Sequence, residues 1–451
     1  VLHHIVFMER YLGHHLKLVW PNSMASNHHP TITTFGCRLN IWESELIRQH
    51  ATDACLNNVV IFNTCAVTSE AEKQARKAIR KIRREHPEKQ IVVTGCAAQI
   101  DPDKWDKMVE VDYVIGNQEK LQIESWQRLK NKQLSVMEVS DISSIRKTVS
   151  HMIDSFEEHT RGFLQIQQGC NHRCTFCIIP YGRGQSRSVA AGQVVENVKK
   201  LYQKGIKEVV LSGVDLTSWG QDLPGNPKLG WLVNQVLKEV PELPRLRLSS
   251  IDPAEFDHLL MSAFENEPRL MPHVHLSVQH GDDIILKRMK RRHLSRDVLR
   301  LCKELRRRRP DIALGADLIA GFPTETEKAH EASIALIEQA ELSHLHVFSY
   351  SERKGTPAAK MPKINSSDIN RRALALKQAG IRQYEKLLHF RLNKRDEILL
   401  EKSNQGYLRN FIRVNLLHNE LLPSGNLHKV KITNILPKGE QLPAVIAELV
   451  E

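Results

Sequence analysis

The residues of this 451-residue chain best suited to chemistry are its eight cysteines, six of which fall into two sets of three. The first set, Cys170, Cys174 and Cys177, has the spacing CxxxCxxC. Cysteine thiolates are soft ligands that hold iron–sulfur clusters. Three thiolates occupy three corners of a 4Fe–4S cubane and leave the fourth iron open, so this spacing predicts a cluster that binds a small chelating molecule.

Zinc is the competing interpretation, because closely spaced cysteines also build zinc sites. A structural zinc site needs a fourth ligand, and the nearest candidate is His172. That residue lies inside the tight loop, where we expect it to reach the same metal poorly.

The second set, Cys37, Cys65 and Cys96, is dispersed along the chain. Each of these cysteines lies just past the carboxyl end of a predicted strand, after TITTF, VVIFN and IVVT. Parallel strands end at one edge of a sheet, where ligands bind, so we expect the three thiols to converge. The alternative is three unrelated buried cysteines, since free cysteine is a common core residue. Cys55 and Cys302 do not follow such strands and are predicted to be packing residues.

The elements that must position these residues predict an α/β fold in three parts. Strands alternating with helices over 31–145 predict a parallel α/β sheet. One of these helices is predicted from about Ser69 to His86, with a buried apolar stripe, and the weaker periodicity from Lys120 to His159 suggests a linker.

A second alternating series, over 156–392, contains six strand candidates and predicts a partial (β/α)6 barrel with its site at the strand carboxyl ends. Short β-like runs over 393–451 predict a small β-barrel, a shape that often grips single-stranded nucleic acid. Residues 1–30 fit none of these units and are interpreted as a disordered or mistranslated extension, with residues 1–23 preceding a possible start at Met24.

The charge of the chain favours a polyanionic partner. Its formal net charge is +12, and basic residues concentrate in two runs, Lys73–Arg84 and Lys287–Arg309. Each run could be a solvated helix face, but together with the β-rich tail they favour contact with nucleic acid. The cysteines are too few for a disulfide scaffold, and no run is apolar and long enough to span a membrane, so a soluble cytosolic protein is expected.

Six segments together resemble the radical S-adenosylmethionine methylthiotransferases from Thr34 nearly to the end of the chain. They are TFGCRLNIWESE, FNTCAVTSEAEKQARKAIRK, VVTGCAAQ, GCNHRCTFCIIPYGRGQSRS, GFPTETE and FSYSERKGTPAA. The family has an N-terminal cluster domain, a radical S-adenosylmethionine domain and a C-terminal RNA-binding TRAM domain, in the same order as the three predicted parts. TFGCRLN, NTCAVT and YSERKGTPAA look most like the bacterial members that modify threonylcarbamoyladenosine in tRNA. Relatives that modify isopentenyladenosine or a ribosomal-protein aspartate remain alternatives, as does a structural-metal RNA-binding protein.

The resemblance implies a chemistry for both cysteine sets. Cys170, Cys174 and Cys177 would hold a 4Fe–4S cluster that binds S-adenosylmethionine and generates a radical able to remove the C2 hydrogen of adenine. Cys37, Cys65 and Cys96 would hold a second 4Fe–4S cluster that carries or transfers sulfur. A second S-adenosylmethionine would methylate that sulfur, giving 2-methylthio-N6-threonylcarbamoyladenosine at position 37 of tRNA. The resemblance also implies a flavodoxin- or ferredoxin-type electron donor and a sulfur source.

The other candidate site residues are single positions in these motifs. Cofactor contacts are expected at the ends of barrel strands, although each residue could instead be a cap or a turn: Gly213, Asp215, Ser250, Gln279 and Asp317. RNA contacts are expected in the GRGQSRS loop, whose arginines could instead touch the cofactor, and in the tail, whose two aromatic residues could instead belong to a barrel core: Arg183, Arg187, Tyr407 and Phe411.

Overall fold

The computed structural model describes residues 30–36, 38–146, 160–402, 404–418, 420–437 and 442–450. The predicted N-terminal extension therefore lies outside the described residues apart from Pro30, and so does Cys37. Among the described residues, no helix has the length and apolar character needed to cross a membrane.

The first unit is the predicted parallel sheet. Its strands pair in sequence order, with Thr34 opposite Asn63 and Thr64 opposite Gly95. The strands are β1 (Thr31–Thr34), β2 (Val59–Thr64), β3 (Gln90–Gly95), β4 (Tyr113–Ile115) and β5 (Met137–Glu138). The helices are α1 (Arg38–Asp53), α2 (Ser69–Glu85), α3 (Cys96–Ile100), α4 (Pro102–Asp106) and α5 (Ile123–Lys130).

Helix α2 confirms the helix predicted from Ser69 to His86. The Thr68 hydroxyl caps it by accepting a hydrogen bond from the Ala71 N–H at 3.2 Å, which satisfies one of the free amides of the first turn. The apolar stripe of α2 packs on the sheet: Ala71, Ala75, Ala78, Ile79 and Ile82 are buried.

The linker prediction from Lys120 to His159 is wrong for its first half. Helix α5 and strand β5 lie in this segment, and β5 completes the sheet by pairing with β4. The sequence pattern missed these two elements because mixed charges suggest an exposed linker, whereas Lys120 in this segment is buried. Residues 147–159 lie outside the described part.

The second unit contains all six predicted barrel strands. They are β6 (Arg161–Gln168), β8 (Glu208–Gly213), β9 (Arg245–Leu248) with β10 (Ser250–Ile251), β11 (His273–Gln279), β12 (Ala313–Ala320) and β13 (His344–Ser349), with a short antiparallel β7 (Arg187–Ser188). The sheets run β7-β6-β8-β9 and β10-β11-β12-β13, so Ser249 interrupts one strand between the two halves of an open barrel. The helices are α6 (Ile179–Arg183), α7 (Ala191–Gln203), α8 (Leu229–Glu239), α9 (His258–Asn266), α10 (Asp283–Arg288), α11 (Ser295–Arg308) and α12 (Glu327–Gln339).

The third unit is a closed barrel that follows the long helix α13 (Ser366–Arg391). Its strands are β14 (Arg395–Lys402), β15 (Gln405–Leu408), β16 (Arg413–Leu417), β17 (Leu427–Leu436) and β18 (Ala444–Leu449), in the order β14-β15-β16-β18-β17. The predicted small β-barrel is thus confirmed. A turn containing Phe411, with φ of 70°, separates β15 from β16.

Candidate metal centres

The CxxxCxxC loop follows β6 directly, at the carboxyl end of the first barrel strand. Its backbone is fixed by hydrogen bonds from the Cys170 N–H to Gly184 O at 3.0 Å and from the Cys177 N–H to Cys174 O at 3.1 Å. Gly169 has φ of 72°, and a Cβ there would lie 1.9 Å from the carbonyl oxygen of Gln185. The loop therefore needs glycine immediately before its first cysteine.

The electrostatics of this loop fit a cationic metal cluster. Burial, then the charges of Asp215 and the other two thiols, raise the pKa of Cys170 well above its ordinary value. Burial and the neighbouring Cys174 raise the pKa of Cys177 to about 11. Three thiolates so close together are costly alone, and bound positive charge removes that cost. The donor set therefore fits a 4Fe–4S cluster.

His172 lies beside the first cysteine of this loop. Its Nε2 is 2.8 Å from Asp215 Oδ2, and one ligand atom from each of Cys170, His172 and Asp215 lies within 4.8 Å of the others. This group contains one cysteine of the loop, so the expectation that His172 reaches the metal of all three cysteines poorly stays a prediction. The geometry of the three residues alone leaves a zinc site open, so the choice depends on the fold and on the relatives.

Residues beyond the sequence-predicted set complete the loop's surroundings. Gln167 Oε1 accepts the Asp215 N–H at 2.8 Å, and its Nε2 donates to Gly169 O at 2.9 Å, which joins two strand-end loops. Arg291 Nη1 donates to Cys174 Sγ at 3.6 Å, while its Nη2 is held by Asp252 at 3.0 Å. Arg291 belongs to the second basic run, which had been interpreted as an RNA-binding surface.

The five candidate cofactor residues are all buried but differ in position. Gly213 ends β8, Asp215 follows it, Ser250 begins β10, and Gln279 ends β11 with φ of 74°. Asp317 does not lie at a strand end as expected. It lies within β12, where His275 Nε2 and His346 Nδ1 are each 3.0 Å from its Oδ1.

Sheet register places two cysteines of the second set, Cys65 and Cys96, after paired strand ends. Cys65 and Cys96 follow Thr64 and Gly95, which are paired across β2 and β3. Gly36 packs against Cys65, since a Cβ on it would lie 2.8 Å from Cys65 Sγ. The residue that contacts Cys65 is therefore the one directly before Cys37 in the chain. Cys37 itself lies outside the described residues.

A buried polar network joins this second site to the barrel. Arg183 Nε donates to Cys96 Sγ at 3.0 Å, and its Nη2 donates to Asn40 Oδ1 at 2.5 Å and to Glu43 Oε2 at 3.0 Å. Lys120 Nζ contacts the same carboxylate at 2.7 Å. Glu43 and Lys120 are 0% exposed and Arg183 is 1% exposed. Burial opposes ionisation of Glu43, but Arg183 and Lys120 lower its pKa to about 2, so the carboxylate stays charged.

This burial corrects two expected RNA contacts. Arg183 has no surface for RNA and instead contacts a candidate cluster ligand. Arg187 is 4% exposed, and its guanidinium donates to the carbonyl oxygens of Gln185 and Arg183 at 2.9 and 3.2 Å.

Tyr407 and Phe411 lie where the closed C-terminal barrel meets the first strands of the open barrel. Phe411 is 6% exposed and packs between the guanidinium groups of Arg161 and Arg247, each 4.9 Å from its ring. This burial leaves Phe411 no face for an RNA base, and it places the ring at the junction between the two barrels, not in the core of the small barrel as the alternative predicted. Tyr407 stacks on Phe411 with ring centres 4.8 Å apart and is partly exposed.

The open barrel and its cysteine loop define a radical S-adenosylmethionine protein. Residues 164–337 match the radical SAM superfamily, and residues 29–116 match uncharacterized protein family UPF0004. The fold is similar to that of a radical S-adenosylmethionine methyltransferase, TsrM from Kitasatospora setae, with a TM-score of 0.51 and 16% identity. That likeness covers 71% of this chain and 69% of the other, and it concerns the fold alone.

Two curated relatives define the family more closely. Threonylcarbamoyladenosine tRNA methylthiotransferase MtaB of Rickettsia prowazekii (strain Madrid E) is 49% identical over 91% of this chain and 96% of its own length. The tRNA-2-methylthio-N(6)-dimethylallyladenosine synthase of Neorickettsia sennetsu (strain ATCC VR-367 / Miyayama) is 33% identical over 79% of each chain. The chain therefore belongs to the radical S-adenosylmethionine tRNA methylthiotransferase family, whose members use S-adenosylmethionine and two 4Fe–4S clusters.

Proposed function

We propose that this protein methylthiolates C2 of N6-threonylcarbamoyladenosine at position 37 of tRNA, giving the 2-methylthio derivative. The observation that carries this proposal is the 49% identity to a methylthiotransferase acting on threonylcarbamoyladenosine, which extends over 96% of that relative. The two separate sets of cysteines described above provide ligands for the two clusters that such a reaction needs.

Cys170, Cys174 and Cys177 would hold the cluster that binds S-adenosylmethionine. The bound cluster and cofactor supply the one-electron chemistry that activates the adenine C2–H bond, beyond the reach of any side-chain acid or base. The protein fixes the loop through Gln167 and Gly169, and Arg291 donates to Cys174 Sγ. Asp215, which is 6% exposed, and His172 line the same loop and are proposed to contact the cofactor or its cluster.

Cys37, Cys65 and Cys96 would hold the second cluster, which supplies sulfur. Here the chain provides a rigid sheet edge and a hydrogen bond from Arg183 to the Cys96 sulfur. Such donors to a ligand sulfur orient it and tune the potential of its cluster. The separate placement of the two sites suits a division of work between hydrogen removal and sulfur supply.

Two other interpretations have weaker support. Modification of isopentenyladenosine would be the activity of a relative that shares 33% identity with this chain. An RNA-binding protein with structural zinc would have no need of the radical S-adenosylmethionine fold or of a second set of cysteines at a sheet edge.

The remaining partners follow from the proposed chemistry. Reducing the cluster requires a low-potential electron donor, for which a flavodoxin or ferredoxin is suitable. Each turnover adds a sulfur atom to the product, so a sulfur source must restore it. Because tRNA is the substrate, we place the protein in the cytoplasm.

Mass analysis of nucleosides from tRNA tests this function directly. In tRNA from cells that lack the gene, threonylcarbamoyladenosine should accumulate without its methylthio group. Returning the wild-type gene should restore the methylthio group. The Cys174→Ala gene is the matched control and should not restore it. Loss of the methylthio group from isopentenyladenosine alone would contradict the proposed substrate.

A further inference from the structure

Helix α2 presents a row of exposed cations on the face opposite its packed side. Lys73, Lys77, Arg80 and Arg84 are exposed and recur every three or four residues, so they form one stripe along the helix. No acidic residue lies between Lys73 and Arg84. At about 1.5 Å of rise per residue, this stripe extends for about 16 Å.

The stripe borders a groove rather than a convex surface. The groove has a volume of about 590 Å³ and is lined by Lys73, Arg76, Lys77, Arg80, Arg83, Arg84 and Glu110. Arg83 is anchored on Asp112 at 2.6 Å, and Arg80 lies 3.5 Å from Glu110. Arg76 also lies 3.9 Å from Glu72, so carboxylates pair with three of the six cations and the groove keeps a net positive charge.

The helix that carries the stripe starts near the second cysteine site and against the open barrel. Helix α2 begins shortly after Cys65, and its first turn contacts the loop after β13, the last barrel strand. The Ser69 N–H donates to Ser351 Oγ at 3.2 Å, and Arg353 Nη1 binds Glu72 Oε1 at 2.6 Å. The row of cations therefore leads outward from the rim of the reaction site.

The second basic run provides a useful contrast. On α11, Arg296, Arg300, Lys303 and Arg307 have the same spacing and are also exposed. Acidic residues neutralise much of this helix: Glu304 pairs with Arg307 at 2.7 Å and with Arg308 at 2.6 Å. Four basic residues with the same helical spacing therefore produce different surfaces on the two helices.

We propose that the α2 stripe binds the backbone phosphates of the RNA stem adjoining the loop that contains the reacting adenosine. This inference rests on the proposed function, because it requires that loop to enter the site at the start of α2. Lysine and arginine bind phosphates without reading the bases, so the stripe positions the stem and does not select its sequence. The N-terminal domain thereby acts in RNA binding as well as in cluster binding.

The test uses the holoenzyme and two RNA probes containing threonylcarbamoyladenosine, an anticodon stem-loop and the loop nucleotides alone. The variant is Lys73→Gln, Lys77→Gln, Arg80→Gln and Arg84→Gln together. We expect its Kd for the stem-loop to rise about tenfold or more, and the slope of log K against log salt to fall by about 3. Binding of the short probe should change less than twofold. KM for the stem-loop should rise while kcat and iron content stay unchanged.

The matched control neutralises Arg296, Arg300, Lys303 and Arg307 on α11 in the same way. It changes net charge equally and should leave stem-loop affinity within about twofold. Equal weakening by both variants would attribute the effect to overall charge and overturn the proposal, as would unchanged binding by the α2 variant. Wild-type enzyme that binds the stem-loop through α2 but does not methylthiolate it would instead contradict the proposed function.

Discussion

The two cysteine sites differ in how the chain assembles them. Cys170, Cys174 and Cys177 lie in one loop whose backbone hydrogen bonds are local, together with a close glycine contact. Cys65 and Cys96 instead meet because β2 and β3 pair in a particular register. The first site can be recognised from spacing alone, whereas the second depends on the sheet being formed.

The difference extends to what surrounds each site. The loop is supported by groups of the barrel itself, such as Gln167 and Arg291. The second site depends on Arg183 from the barrel domain, which donates to Cys96 and binds Glu43. Separate ligand sets predict separable losses of function, while Arg183 marks the place where one domain supports the other's site.

The largest expected effect comes from Cys174→Ala. It removes one of three ligands of the radical cluster, so reductive cleavage of S-adenosylmethionine should fall to background. The measurement is deoxyadenosine formation under reducing conditions, with Cys302→Ala as the control. Cleavage at the wild-type rate would show that this loop does not hold the radical cluster.

The next effect separates the sites. Cys65→Ala should abolish methylthiolated RNA yet keep reductive cleavage of S-adenosylmethionine, because the radical loop belongs to another domain. Cys96→Ala should behave the same, and the double variant should be no worse than either single one, since a cubane with too few thiolates is lost as a unit. Chromatographic assay of both products checks this, and additive partial losses would contradict a shared cluster.

A smaller effect is expected from Arg183→Met at the junction between the domains. It leaves Glu43 buried with only Lys120 as a cationic partner, and loss of a buried charge partner costs about 3 kcal/mol of unfolding free energy. Thermal unfolding should show this loss, and the electron paramagnetic resonance signal of the second cluster should shift while the radical cluster's signal stays. Arg183→Lys should recover stability only in part, because lysine lacks the fork of donors. If the wild type, Arg183→Met and Arg183→Lys gave identical signals for both clusters, Arg183 would have no influence on the second cluster and the assignment would be wrong.

Features that depend on short stretches of chain could be predicted from the sequence. The CxxxCxxC spacing, the six barrel strands and helix α2 were predicted because each depends on local pattern. Arg183, Glu43 and Lys120 were not assigned their roles, because their partners are distant in sequence and only tertiary packing brings them together. The spacing of basic residues likewise could not show that Arg291 points at Cys174.

The smallest effects concern the two cysteines outside both sets. Cys302 is 0% exposed, as predicted for a packing residue, so Cys302→Ala should cost about 1 kcal/mol. The packing prediction was wrong for Cys55, which is exposed in the turn after α1, and Cys55→Ser should change stability by less than about 0.5 kcal/mol. Denaturant unfolding measures both values, and loss of iron in either variant would mean that a ligand has been misassigned.

The central claim is that two independent cubanes lie on two separate sets of cysteines. Its most direct test is the iron and sulfide content of anaerobically reconstituted wild-type, Cys174→Ala and Cys65→Ala proteins. We predict about eight irons per chain in the wild type and about four in each variant, with matching sulfide. A colourless protein containing zinc, or loss of all iron from either single variant, would contradict the claim.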